Sequence, residues 1–561
     1  MGTSTIVVPR TYRGYTWDRG DTTRSYPQPP GLWLPSTNYI AAKIPWMNTE
    51  GQINAQIHPR PDAEIVNPYA WHKTHYYDGV NTLTQRIPIQ PRGGCPPYNF
   101  VIMAAPAAAN ARMGTSQWAP GWTIWQAIYG GYGDLLVSPT GSYTDATFWV
   151  RAYSQDGTYL DFIWTASTTS STNAFIFLDP LNGVDTNTGA YGAPIKTLLQ
   201  AFGAANGDTT YPNANLILFG TANIPLYAQD AVYGISPVVN ATPLNIIGFD
   251  GQNVTLDQTN AGSSRGFNIQ TSDDDLYWGG FTMINGPYGT GTTNYSPIAS
   301  GALHSRMFLQ NISCPNIFQG SDPTDNASFL AMGDPTSGYP TCRNYIWMKG
   351  CSETNRPLQS GGNGFGMFDW YKVQYGGASL CSVTGNGSGY AYFIKGGCLD
   401  ITVQHSLSEN VSGQYAMASF CQTNNVLPWP QNFEFCFNTI VSNQSLASYG
   451  TTAAAISNLA YFPCGQHWWY RNSIIGGAVV DAPSISGLEN GPFEYDNNAI
   501  QFGAFAAGVI TSNSPSLPLP SNVTNNGALA QDSTGVFDSN WLLTGTYRAD
   551  YLGVNGAEIA P

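Results

Sequence analysis

Paired carboxylates are the first chemistry to look for in this chain, since two acids held a few ångströms apart can protonate a leaving group and activate water. An apolar phrase recurs irregularly, at Leu276 to Asn285, Met307 to Cys314, Tyr345 to Cys351, Phe368 to Val373, Tyr392 to Cys398, Phe433 to Val441, Trp468 to Ile475 and Phe493 to Ile500. Aligned on that phrase, Asp369, Glu434 and Glu494 share one column, and alternation turns them outward from flanking aromatics. If repeats stack as strands about 4.8 Å apart, Asp369 and Glu434 stand about 10 Å apart, the upper edge of the range for inverting glycosidases. One acid then serves as general acid and the other as base for water. The competing reading leaves these acids solvated and paired with Lys349, Lys372, Lys395 and Arg471, which fall in a second column. Glu353, Asp400 and Glu409 lie near the same face.

Aromatic side chains give the stronger binding signal. Trp347, Trp370, Trp468, Trp469 and Tyr470 repeat along the phrases, and exposed members would stack on sugar rings with a polar rim around them. The alternative is that they fill the interior, and a register slip of one residue exchanges the two. His304, His405 and His467 each stand alone in their phrases, and His72 with His75 lacks a third ligand at useful spacing, so packed or surface histidines are expected. Asp273, Asp274 and Asp275 read as an exposed turn, and the loop with Asp179, Asn182, Asp185 and Asn187 reads as turn chemistry ahead of a bound cation. Nine cysteines without CxxC spacing read as buried free thiols. No metal and no cofactor is expected.

Composition narrows the partners. The 561-residue chain has a net charge of −14 and only 10% charged residues, with 61 Gly and 38 Pro. Nucleic acid and anionic membranes are poor partners for such a surface, and a neutral or mixed-charge ligand fits better. There is no run of apolar residues long enough to span a bilayer and no signal peptide at the start, so synthesis in the cytoplasm is expected. Abundant turn formers and scarce amphipathic runs point to an all-β protein of two or three domains.

The elements that would position these residues follow in order. Residues 1–79 carry prolines, three early arginines and scattered aromatics without a period, and read as a leader or attachment segment. From residue 80 to 172, Gly93 to Phe100, the alternating Thr147 to Arg151 strand, the Asp156-Gly157 turn and the strand at Asp161 to Thr165 form a hairpin-containing unit, closed by a polar linker at Thr168 to Thr172. This set resembles bacterial Ig-like spacer domains of surface and virion proteins, which implies a spacer or adhesion module.

Phe175 to Leu178 is an apolar strand followed by a turn-rich loop. A capping helix near 194–205 then begins at Pro194 and places Ile195, Leu198, Leu199 and Phe202 on one face. This DPxNGxDxxxG loop with its helix resembles the opening module of right-handed parallel β-helix proteins of the pectate-lyase-like kind. The resemblance implies coils over 173–516, with Asn or Gly in the left-handed conformation at the corners, and closing strands over 517–561.

Together these parts resemble bacteriophage tailspike and tail-fibre proteins. The resemblance implies a virion location, a homotrimer, contact with a host surface polysaccharide and attachment to other virion proteins through residues 1–79. It places a structural and adhesion role first. A glycan depolymerase, acting as hydrolase or lyase on the same coils, is the alternative, and a surface-displayed adhesin or carbohydrate-active enzyme outside a virion is the second.

Overall fold

Runs of four apolar residues bounded by turn formers are too short for helices and suit strands buried on both faces. A computed structural model sets them side by side. It describes residues 11–12, 15–16, 70–91, 99–114, 133–153, 159–201, 215–220, 222–227, 245–260, 265–269, 276–285, 296–300, 306–315, 329–332, 343–354, 365–370, 373–385, 390–394, 398–404, 406–410, 415–421, 431–436, 439–442, 454–460, 468–471, 474–476, 479–483, 493–496, 499–500 and 524–525. The fold is all-β, and three long parallel sheets of 12, 11 and 8 strands dominate it.

The chain visits these sheets in rotation. Leu276–Gly279 lies in the first sheet, Phe281–Ile284 in the second and Ser296–Ser300 in the third, and Met307–Gln310 returns to the first. Each circuit adds a rung in register, so that Leu276 pairs with Met307 and Met307 with Ile346. Between the first and second sheets the backbone turns through a left-handed residue, at Gly280 (φ 76°), Asn311 (φ 51°) and Gly350 (φ 64°). These are the residue types that reach this region at low cost. Leu380 (φ 55°) takes the same corner one rung later, where no Gly or Asn signals it.

Residues 70–169 form a separate pair of small sheets. Thr74–Tyr76, Tyr159–Thr169, Ala146–Tyr153 and Asn99–Ala104 make one, and Gln85–Pro88, Asp134–Val137 and Arg112–Met113 the other. Both contribute to one core containing Ile87, Leu135, Val137, Phe148, Val150, Phe162 and Trp164. The expected hairpin is present: Phe148 pairs with Trp164 and Val150 with Phe162, all four buried. Thr74–Tyr76 pairs with Ser167–Thr169, so the boundary expected at residue 80 falls inside this unit, and Thr168 and Thr169 belong to a strand instead of a linker.

The opening of the stack differs in detail from the sequence reading. Within the expected 194–205 span, the described helix covers 198–201. Thr197 caps it, its hydroxyl accepting from the Gln200 amide at 3.2 Å. Pro194 lies upstream in a turn. The buried face is Ile195, Leu198 and Ala201, while Leu199 is 45% exposed. Phe202 lies outside the described residues. The Asp/Asn loop is held by turn chemistry. Asp179 Oδ1 accepts from the Leu181 and Asn182 amides, and Asp185 Oδ1 accepts from the Thr197 amide and hydroxyl. Partial burial works to raise the Asp179 carboxyl, but the Asn182 side-chain amide and the Asn182 and Leu181 backbone amides hold it below its ordinary range.

Candidate functional site

Strand pairing in the first sheet gives two register columns on one face, two residues apart along each strand, and their described side chains, as far as Thr402 and Gln404, are buried. One runs Tyr277, Phe308, Trp347, Gly377, Thr402, Glu434, Trp469, Glu494. The other runs Gly279, Gln310, Lys349, Ser379, Gln404, Cys436, Arg471, Asp496. Trp71, Tyr76 and Leu83 close over the upper part of this face in a cluster with Phe177, Ile247, Tyr277, Phe308 and Trp347. Trp71 stacks on Tyr277 with ring centroids 5.2 Å apart and planes 9° apart. At Gly377 a Cβ would stand 2.9 Å from the Trp347 ring, so glycine makes room for the indole.

Beneath that apolar seal lies a charge cluster built from both units. Asp134, fully buried, accepts from Gln310 Nε2 at 2.6 Å and pairs with Lys349 Nζ at 3.3 Å and Arg86 Nη1 at 3.7 Å. Arg86 Nε reaches Asp250 at 2.8 Å. Lys349 Nζ also donates to the carbonyls of Gly133 (3.1 Å) and Ile89 (3.3 Å). Gly133 has φ 70°, and a Cβ there would lie 2.9 Å from Ile89 O and 3.1 Å from Lys349 Nζ. Tyr277 donates to Gln310 Oε1 at 2.5 Å, and burial keeps its hydroxyl far above the usual phenol range. Gln404 Nε2 donates to Pro91 O at 2.9 Å.

Two cations meet two anions here, and all but Asp250, which is 17% exposed, are buried. Arg86, Asp134 and Lys349 are each at most 3% exposed. Such a cluster fixes one unit upon the other, because an unpaired charge left in this interior would cost several kcal/mol (about 3–5). Its members bind one another across the two units, and its chemistry is that of a clamp.

The residues singled out from the sequence are dispersed. Asp369 lies in the third sheet, in register with Ala331 and Phe393, while Glu434 lies in the first. The column expected to hold Asp369 with Glu434 is therefore a misreading: the Phe368 and Tyr392 phrases belong to the third sheet, the others to the first. Glu434 and Glu494 do share a column, two rungs apart across Trp469. Trp347 and Trp370 are both 0% exposed, which removes them as sugar platforms; Trp347 is covered by the N-terminal unit. Trp468, Trp469 and Tyr470 lie in Trp468–Arg471 of the first sheet, where the backbone alone is described. Lys349 and Arg471 share a column as expected, yet Lys349 pairs with Asp134.

His72 and His75 are buried in the small-sheet unit, the first against Trp164 and the second against Tyr143 and Phe148. His75 Nδ1 stands 2.5 Å from the Tyr143 hydroxyl, and His72 Nε2 lies 3.4 Å from Pro88 O. Burial lowers both from 6.5 to about 3; for His72 the charges of Arg306 and Lys73 add to it. Cys314, Cys351, Cys381 and Cys398 are buried thiols in no disulfide, and burial pushes the Cys314 and Cys381 thiols up. Glu353, in register with Cys314 and Val383, is likewise buried. Lys372, Lys395, His304, His405, His467 and Asp273 to Asp275 lie outside the described residues. No helix among the described residues is long and apolar enough to cross a membrane.

Sequence reasoning missed the clamp. Its only local signals are Lys349 ending the apolar run Ile346-Trp347-Met348 and Asp134 preceding Leu135-Leu136-Val137.

Comparison with protein families and with curated proteins finds no match. Among solved structures the chain is similar to the GH136 lacto-N-biosidase from Eubacterium ramulus, at 10% identity and a TM-score of 0.22, over 58% of this chain and 68% of that one. At that level the likeness bears on neither chemistry nor substrate.

Proposed function

We propose that this chain is a rigid appendage protein of the tailspike or tail-fibre kind, which holds a host surface glycan as receptor. In this reading the three parallel sheets are a right-handed parallel β-helix, the unit at 70–169 is an Ig-like module, and the assembly is a homotrimer on a virion, attached through the segment before residue 70. The observation that carries it is the unbroken path of eleven strands in the first sheet, from Phe175–Leu178 to Phe493–Asp496. At about 4.8 Å per rung that path is a shaft about 50 Å long, and the clamp joins the module to its side. A stiff, acidic shaft suits adhesion. The depolymerase alternative has lost its argument from the Asp369 and Glu434 pair, which lie in different sheets.

The test is to expose the full chain to an array of bacterial capsular and O-antigen polysaccharides, following both retention and new reducing ends. Retention without new ends is expected. Retention on none of them sinks the adhesion reading, and new reducing ends would make the chain an enzyme. Sedimentation equilibrium checks the trimer, with a monomer mass at micromolar concentration as the contrary result.

A further inference from the structure

Eight large apolar side chains are exposed among the described residues, and four of them, Val101, Met103, Tyr159 and Ile163, lie on one face. It is the outer face of the sheet formed by Asn99–Ala104, Ala146–Tyr153 and Tyr159–Thr169, opposite the core residues Phe148, Val150 and Phe162. At its centre the Arg151 guanidinium lies 3.8 Å from the Tyr159 ring centroid and 5.3 Å from that of Trp149. Asp161 holds this group from below. It accepts from Arg151 Nε at 2.7 Å and Nη2 at 2.9 Å, and from Trp149 Nε1 at 2.8 Å. Arg151 and Asp161 cancel, and the remaining outward positions (Asn99, Thr147, Thr165) are uncharged.

We infer that this face is a platform for a short, uncharged oligosaccharide. The inference rests on the glycan-binding reading above and gives that reading a location on the small-sheet unit. Three features select the occupant. The first is size: three strands over this length present about 300 Å², well under the roughly 800 Å² per partner of a stable protein interface, but enough for a few sugar rings. The second is rigidity. The Trp149, Arg151 and Tyr159 stack is locked by Asp161 before any ligand arrives, which reduces the ordering cost of binding. Aromatic rings edged by hydrogen-bonding groups match the apolar faces and hydroxyl rims of pyranoses. The third is charge: the face is neutral on a chain of net charge −14, whose field repels uronate- or sialate-bearing chains.

The experiment uses the full chain and short uncharged oligosaccharides prepared from the neutral polysaccharides of the array, with binding read by saturation-transfer NMR and calorimetry. Tyr159→Ala is expected to weaken binding about tenfold by removing the stacking ring. Asp161→Asn, which unlocks Arg151, is expected to weaken it several-fold, while Leu181→Ser at an exposed site elsewhere leaves it unchanged. Melting temperatures within a few degrees of the parent show that the variants fold. Parent-like binding by Tyr159→Ala and Ile163→Ser would overturn the site while leaving the glycan reading intact. Binding confined to anionic glycans would overturn the ligand class, and a drop in oligomer mass for Tyr159→Ala with unaltered sugar binding would make the face an interface between copies. No glycan binding by the parent would overturn both.

Discussion

Acid should destabilise the small-sheet unit, and the size of the effect follows from two histidines. In the folded chain His72 and His75 stay neutral until about pH 3, whereas their unfolded value is 6.5. A base whose folded value is depressed gives the unfolded state more protons between those limits, so stability falls as pH falls through 6.5 and continues to fall towards 3. Between about pH 7 and about pH 5 each histidine should withdraw about 2 kcal/mol, hence about 4 kcal/mol for the pair. Geometry supports the direction. Charging His75 would give both ring nitrogens a proton to donate, and Nε2 has no acceptor among the described residues. Charging His72 would place a cation near Arg306. The assay is urea unfolding followed by tryptophan fluorescence at both pH values, on the parent and on His75→Gln. The parent should lose about 4 kcal/mol and the variant about half of that. A parent curve unmoved between the two pH values, or a variant with the parent's full loss, would refute the reasoning.

Two other outcomes follow from packing. Lys349→Met removes one cation from Asp134 and should cost about 3–5 kcal/mol, seen as earlier thermal unfolding. Adding Asp134→Leu should restore part of that, because the buried anion, left paired with Arg86, goes too, while Arg86 keeps Asp250. At the opening of the stack, Leu198→Asp should destabilise by about 3 kcal/mol or more, since it puts a charge at a buried site, whereas Leu199→Asp should stay within about 0.5 kcal/mol. Equal effects in thermal denaturation would contradict the assigned helix face.

Much of the fold could be read from residue patterns. The Ala146 to Thr169 hairpin announces itself by alternation, because a sheet with one core face repeats every two residues. Corners at Gly280, Asn311 and Gly350 were legible because few residue types accept a left-handed backbone; Leu380 hid the next one. What could not be read was the face on which each apolar phrase lies. Three parallel sheets with buried strands produce three sets of similar phrases, and Phe368 to Trp370 looks like Ile346 to Met348 although they belong to different sheets. That ambiguity put Asp369 beside Glu434. The burial of Trp347 under Trp71 depends on docking between segments remote in sequence, and no local pattern encodes it. For the same reason Lys349 looked like a partner for surface acids.

The clamp also constrains how this protein can change in length. Stacked-repeat proteins ordinarily gain or lose units with little penalty, since each repeat touches only its neighbours. Here Tyr277, Gln310 and Lys349 on three successive circuits, and Gln404 two circuits further on, are tied to Arg86, Asp134, Ile89 and Pro91 of one body alongside. Deleting a circuit between Leu276 and Gln404 would shift every later partner by one rung, about 4.8 Å, beyond the reach of its carbonyl. The small-sheet unit thereby acts as a gauge against which the rungs are counted. A whole circuit inserted or deleted past Gln404 leaves these four ties in place.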